Sequence, residues 1–115
     1  MLFICYPKCT TCQKAQKYLS EKGVAYTLRN IKEDNPSLEE LTQWYHASGL
    51  PLKRFFNTSG LQYKALDLKN KLPQMTEAEQ LALLATDGML VKRPLLIGED
   101  FVLTGFKQAQ WDNKL

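Results

Sequence analysis

The chain has 115 residues, is 44% hydrophobic and carries 15 basic against 12 acidic side chains for a formal charge of +3. That length and apolar content suffice for one domain with its own core, so neither a disulfide nor a metal is needed to hold it together. The small, dispersed positive excess does not indicate direct nucleic-acid binding, and no stretch is long and apolar enough to span a membrane.

Leu2 to Cys5 is an apolar run that reads as a buried strand, ended by Pro7. The same N-terminal run lacks the basic start and small-residue cleavage site of a signal peptide, which leaves the cytoplasm as the expected compartment. A helix is expected from Thr10, where Thr10 and Gln13 have capping-box spacing, with Ala15, Tyr18 and Leu19 facing inward and Gly23 as the C-terminal cap. In residues 24–29, Val24, Tyr26 and Leu28 alternate with smaller or polar residues, the period of a second strand. Strand, helix and strand in so short a span predict a right-handed βαβ unit.

A second capping box, Ser37 with Glu40, opens a helix with Leu38, Leu41 and Tyr45 on one face and Gly49 at its end. Pro51 introduces a short apolar turn holding Leu52, Phe55 and Phe56. Residues 57–60 read as a loop and residues 61–72 as a short helix. Thr76 and Glu79 open a further helix through Leu81 and Leu84 to Gly88. Two apolar runs, 94–97 and 101–103, flank Gly98-Glu99-Asp100, the spacing of a three-residue hairpin connection. The terminal helix after Gly105 is expected to turn Phe106 and Trp111 inward. The order predicts one α/β domain over residues 1–115: a mixed four-stranded sheet, its third and fourth strands antiparallel, with helices at about 37–88 inserted between strands two and three. Aromatic residues Trp44, Tyr45, Phe55 and Phe56 read as core rather than as a partner surface, and His46 as an exposed polar residue.

The three cysteines lie together in residues 5–12. Cys9-Thr10-Thr11-Cys12 follows a strand and opens a helix, where free backbone N–H groups and the helix dipole favour thiolate over thiol. Cys9 is therefore the candidate nucleophile. Cys12, about one turn on, is the candidate resolving thiol, and Lys8 adds positive charge beside them. A zinc site would have to recruit the distant His46 to complete four ligands with Cys5, Cys9 and Cys12, which is a weaker reading, so no metal is expected. Cys5, at the end of the first strand, reads as core packing, with a third redox thiol as the alternative. Arg93-Pro94 heads the third strand; a cis bond there would turn the Arg93 backbone toward the cysteine loop, and its guanidinium suits a thiolate or an anion. An ordinary turn proline beside a solvated arginine is the competing reading. Thr10, Thr11, Asn57 and Pro94 join Lys8 as candidate substrate-contacting residues. Ser59 and Tyr63 are candidates for the same groove, with loop capping the alternative for Asn57 and Ser59.

The segments "YPKCTTCQKA", "FFNTSG" followed by Tyr63, "VKRPLLI" and "LTGF" together resemble the arsenate reductase/Spx family over essentially the whole chain. The resemblance implies a thioredoxin/glutaredoxin-like fold, a cis Arg93-Pro94 bond and redox activity at Cys9. Family arsenate reductases hold their oxyanion with a set of arginines. Arg93 matches one; the other two positions fall at about Asn57 and Thr104, so little arsenate reduction is expected. The cysteine pair is similar to the Spx branch, which implies a redox-switched regulator bound to the RNA polymerase α-subunit. That branch carries a longer C-terminal tail, and the expectation drawn from the shorter chain is a monomeric thiol–disulfide oxidoreductase needing no cofactor. Its reductant would be glutathione with glutaredoxin, or thioredoxin.

Overall fold

The computed structural model describes residues 1–115. Four strands, β1 (Leu2–Cys5), β2 (Thr27–Asn30), β3 (Leu95–Ile97) and β4 (Val102–Thr104), form one sheet in the order β2-β1-β3-β4. β1 pairs parallel with β2, bringing Cys5 opposite Asn30, and antiparallel with β3, which in turn pairs antiparallel with β4. The mixed sheet with flanking helices is the expected thioredoxin-like α/β fold.

Being central, β1 is covered on both faces, which is why it reads as an unbroken apolar run. Its alternation sorts two cores. Phe3 and Cys5 face α1 (Thr10–Lys22) and α6 (Gln108–Lys114), in a cluster with Cys12, Ala15, Leu19, Leu96 and Trp111. Ile4 faces the other way, into a larger cluster with Leu95, Val102, Phe55, Phe56 and the helices between β2 and β3. Trp111 is fully buried, and its indole N–H donates to the Gly105 carbonyl at 3.1 Å.

Those intervening helices are α2 (Leu38–Ser48), α3 (Leu61–Ala65), α4 (Leu68–Lys71) and α5 (Glu77–Leu84). α2 and α5 start on the expected capping boxes, Ser37 with Glu40 and Thr76 with Glu79, both closed in both directions. Tyr45 donates to Glu77 at 2.7 Å and ties the two together.

Several boundaries differ from the sequence reading. β2 is confined to Thr27–Asn30. Val24 and Tyr26 pack from the preceding segment, and Leu28, on an edge strand, is 53% exposed. On α2 the inward residues are Leu41 and Trp44, while Leu38 in the first turn is exposed. The helix expected over 61–72 breaks at Asp67, whose φ of 53° is left-handed and tolerated by an aspartate. The break lets Leu68 and Leu72 turn into the core. α5 ends at Leu84, and Gly88 does not cap it. A Cβ on Gly88 would lie 1.7 Å from the Ile31 carbonyl oxygen, so only glycine allows this loop to press against the end of β2. β4 begins at Val102, one residue later than expected, and Phe106 precedes α6 instead of lying on it.

Candidate active site

At the thiols, too, the structure departs from the sequence reading. The residue capping α1 is Cys9, not Thr10: Cys9 has the extended conformation of an N-cap, and its carbonyl accepts the first helical bond from Gln13 N–H at 3.0 Å. Gln13 closes no box with Thr10; its side-chain amide donates instead to the Pro7 carbonyl at 2.9 Å. The sulfur therefore occupies the place where other helices put a capping oxygen.

Partial burial pushes the Cys9 thiol up. The backbone N–H of Cys12, the Arg93 guanidinium, the Cys12 thiol and the backbone N–H of Thr11 act against it, and the net shift is downward. No acidic residue occupies the first turn of α1 to oppose the thiolate. Cys12 is different. It is 1% exposed. Burial pushes its thiol up to about 12, against the backbone N–H of Tyr6, with the neighbouring Cys9 and Cys5 adding to the rise. Environment has thus separated two identical groups one helical turn apart into an acidic, half-buried thiol and a basic, enclosed one.

The Arg93–Pro94 peptide bond is cis, and Pro94 is buried. The Arg93 guanidinium lies 5.3 Å from the Tyr6 ring centroid, a cation–π distance that holds it beside Cys9. Its Nε and Nη1 are buried without a hydrogen-bond partner, and so is Thr104 Oγ1. Arg93 and Thr104 both line one cleft of ≈ 390 Å³ that Cys9 also lines.

Of the candidate residues, Cys9, Thr11, Asn57 and Arg93 line this cleft together with Ser59. Cys12 lies beneath it. Lys8 and Thr10 are exposed and outside its walls, and Pro94 is enclosed behind Arg93. Tyr63 is buried against Phe56 in the larger core and does not reach the groove.

Sequence reasoning missed Arg54, Lys92 and Lys107, which add three more cations to the walls, with no carboxylate among the lining residues. Arg54 stands three residues before Asn57 and Lys107 three after Thr104. These are the two positions where family arginines were sought. Searching for charge near those positions, rather than at them, was the available signal.

Comparison with known proteins places this arrangement. A protein from Bacteroides fragilis, described as ArsC family related, superposes with a TM-score of 0.95 at 60% identity, covering 97% of this chain and 94% of that one. The uncharacterized Bacillus subtilis protein YusI is 53% identical over 97% of this chain and 95% of its own length. The global transcriptional regulator Spx of Staphylococcus haemolyticus is 24% identical, matching 90% of this chain and 78% of its own. The ArsC family model matches residues 5–113, and with a thiol capping the first helix, a cis proline behind it and the mixed sheet beneath, this chain belongs to the ArsC family.

Proposed function

We propose that the protein is a cytoplasmic thiol–disulfide oxidoreductase with Cys9 as nucleophile and Cys12 as resolving thiol. The observation that carries this reading is Cys9 at the N-cap of α1, its acidity raised by two backbone N–H groups and Arg93 while its sulfur faces an open cleft. The Cys9 thiolate attacks one sulfur of a substrate disulfide. A mixed disulfide forms and the first substrate thiolate leaves. The loss of negative charge on Cys9 removes one of the influences that hold the Cys12 proton. Cys12 then gives that proton to solvent and attacks Cys9 Sγ, the second substrate thiolate leaves, and a Cys9–Cys12 disulfide remains. A cellular thiol system, glutathione with glutaredoxin or thioredoxin, returns the pair to dithiol.

Arg93 positions and stabilises the thiolate. Thr11, Asn57 and Thr104 offer neutral polar groups to the substrate, and Arg54, Lys92 and Lys107 select for negative charge on it. Arsenate meets cations at the rim but Asn57 and Thr104 where bidentate arginines would grip it, so arsenate-dependent NADPH consumption in a coupled assay is expected to be slight. The test is turnover of an anionic disulfide by wild type, with Cys12→Ser accumulating the mixed disulfide at Cys9. A Cys9 thiol that alkylates no faster at neutral pH than a free cysteine removes the basis of the reading. Similarity to Spx supports a second reading, a redox-switched regulator on the RNA polymerase α-subunit. Capture of that subunit by one oxidation state only, without disulfide turnover, selects it.

A further inference from the structure

Cys5 is a third thiol that the exchange above does not use. It ends β1, its side chain lies on the α1 face, and it is 4% exposed. It shares one cluster with Cys12, and Cys9 packs on the edge of the same cluster. Cys5 and Cys12 each perturb the other's titration, as neighbours do, and Cys12 is perturbed by Cys9 as well. The amide N–H of Tyr6, the residue joined to Cys5, donates to Cys12 Sγ at 3.3 Å and holds that sulfur against the end of β1. Cys12 therefore packs at the end of β1 beside Cys5, in the cluster whose edge carries Cys9.

We propose that Cys5 is a second resolving thiol, which attacks Cys12 Sγ of the Cys9–Cys12 disulfide and moves the bridge to Cys5–Cys12. The inference rests on the oxidoreductase reading, because the disulfide substrate supplies the oxidation. The step itself is redox-neutral: the Cys5–Cys12 S–S bond forms, the Cys9–Cys12 bond breaks, Cys9 leaves as thiolate, and the Cys5 proton passes to solvent.

Direction follows from the order of acidities. Thiol–disulfide exchange releases the most acidic thiol as its leaving group and keeps the bridge on the more basic pair. Cys9 is shifted down, while burial raises Cys5. The same burial keeps Cys5 protonated most of the time, so the second step is slower than the first. Its product is a bridge between two enclosed sulfurs, out of reach of small thiols, with the Cys9 thiolate free in the cleft again. Reductant reaches that bridge when Cys9 attacks Cys12 in return.

Trypsin makes the test direct, because cleavage after Lys8 and Lys14 separates peptide 1–8, holding Cys5, from peptide 9–14, holding Cys9 and Cys12. Wild-type protein is oxidised with excess oxidised glutathione, quenched in acid at timed intervals, alkylated with N-ethylmaleimide in denaturant, digested and analysed by mass spectrometry. The expected series begins with a bridge inside peptide 9–14 and alkylated Cys5. It ends with peptide 1–8 linked through Cys12 to peptide 9–14, with alkyl or glutathionyl label on Cys9. In Cys9→Ser oxidised with diamide, the 1–8 to 9–14 link is expected directly. Cys5 alkylated at all times beside a persistent bridge within 9–14 overturns the relay and leaves the oxidoreductase reading intact. Glutathione on Cys9 with no bridge at all overturns both.

Discussion

Two helix starts in this molecule follow opposite rules. At α2, Ser37 Oγ accepts from Glu40 N–H at 3.1 Å and the Glu40 carboxylate accepts from Ser37 N–H at 3.0 Å, so the first turn is closed upon itself. Glu39 and Glu40 add negative charge at the positive end of the dipole. At α1 there is no capping oxygen and no acid. The N–H groups that α2 spends on its own stability make no side-chain cap here and instead help to lower the Cys9 pKa. One start is built to hold a helix and the other to hold a thiolate, and the same backbone groups serve both ends.

The largest effect separating them is chemical. Cys9→Ser is expected to lower disulfide turnover by roughly 10⁴-fold or more, since no other exposed thiol exists to attack; Ser37→Ala should leave the chemistry unaltered. Next comes the guanidinium. Arg93→Ala removes the guanidinium that lowers the Cys9 pKa and moves the midpoint of the alkylation-rate profile to higher pH, slowing alkylation at pH 7 by about tenfold. Arg93→Lys keeps the charge and recovers part of that loss. An unmoved midpoint in Arg93→Ala would show that the backbone N–H groups alone acidify Cys9. Raising salt should slow an anionic disulfide more than a neutral one by about two- to fivefold, because Arg54, Lys92 and Lys107 act through solvent-screened charge.

At the α2 start the measurable quantity is stability. Arg29 forms a two-pronged pair with Glu40, at 2.7 and 2.9 Å. That pair, with the Ser37 cap helping and partial burial opposing, holds the Glu40 carboxyl down at about 2. An unfolded glutamate titrates near pH ~4.3. The stabilisation is therefore complete above that pH and is lost as pH falls toward about 2. Glu40→Gln keeps a capping amide but no charge. It should cost about 1–2 kcal/mol at pH 7, a figure reduced by solvent reaching the pair. Urea melts of the two proteins should converge as pH drops from 5 to 2.

How far these features could be read in advance differs between the two starts. Ser37, Glu40, Thr76 and Glu79 announce their helices because a capping box is a local pattern closed within four residues. Thr10 and Gln13 show the same spacing, yet the cap of the helix that starts at Thr10 is Cys9, whose amide donates to the Tyr6 carbonyl at 2.9 Å. The strand runs and the mixed sheet were legible from apolar runs, and the cis Arg93–Pro94 bond from a family pattern spread along the chain, while the residues alone left Arg93 open between the thiol loop and solvent. The cations of the cleft were hinted at only by charge near positions 57 and 104: Arg54, Lys92 and Lys107 come from three separate segments and meet only through the fold. Leu38 and Leu28 misled for a common reason. Periodicity says which residues share a face, and it is silent on whether anything covers that face at a helix end or a sheet edge.

The smallest prediction joins the two starts. Serine is among the best N-cap residues, and Cys9 already has cap geometry, φ −85° and ψ 122°. Cys9→Ser, dead in turnover, should therefore gain about 0.5–1 kcal/mol of stability by letting Oγ accept a first-turn N–H that no side chain caps now. The gain is best read under reductant at pH 5, where the thiolate contribution to wild-type stability is smaller than at neutral pH. As pH rises through the lowered folded pKa of Cys9, wild type acquires thiolate stabilisation that becomes complete above the unfolded value, while serine does not titrate. The advantage of Cys9→Ser should accordingly be largest in acid and shrink or reverse toward pH 9. A variant less stable than wild type even at pH 5 would mean that sulfur packing, not the cap position, decides what this first turn tolerates.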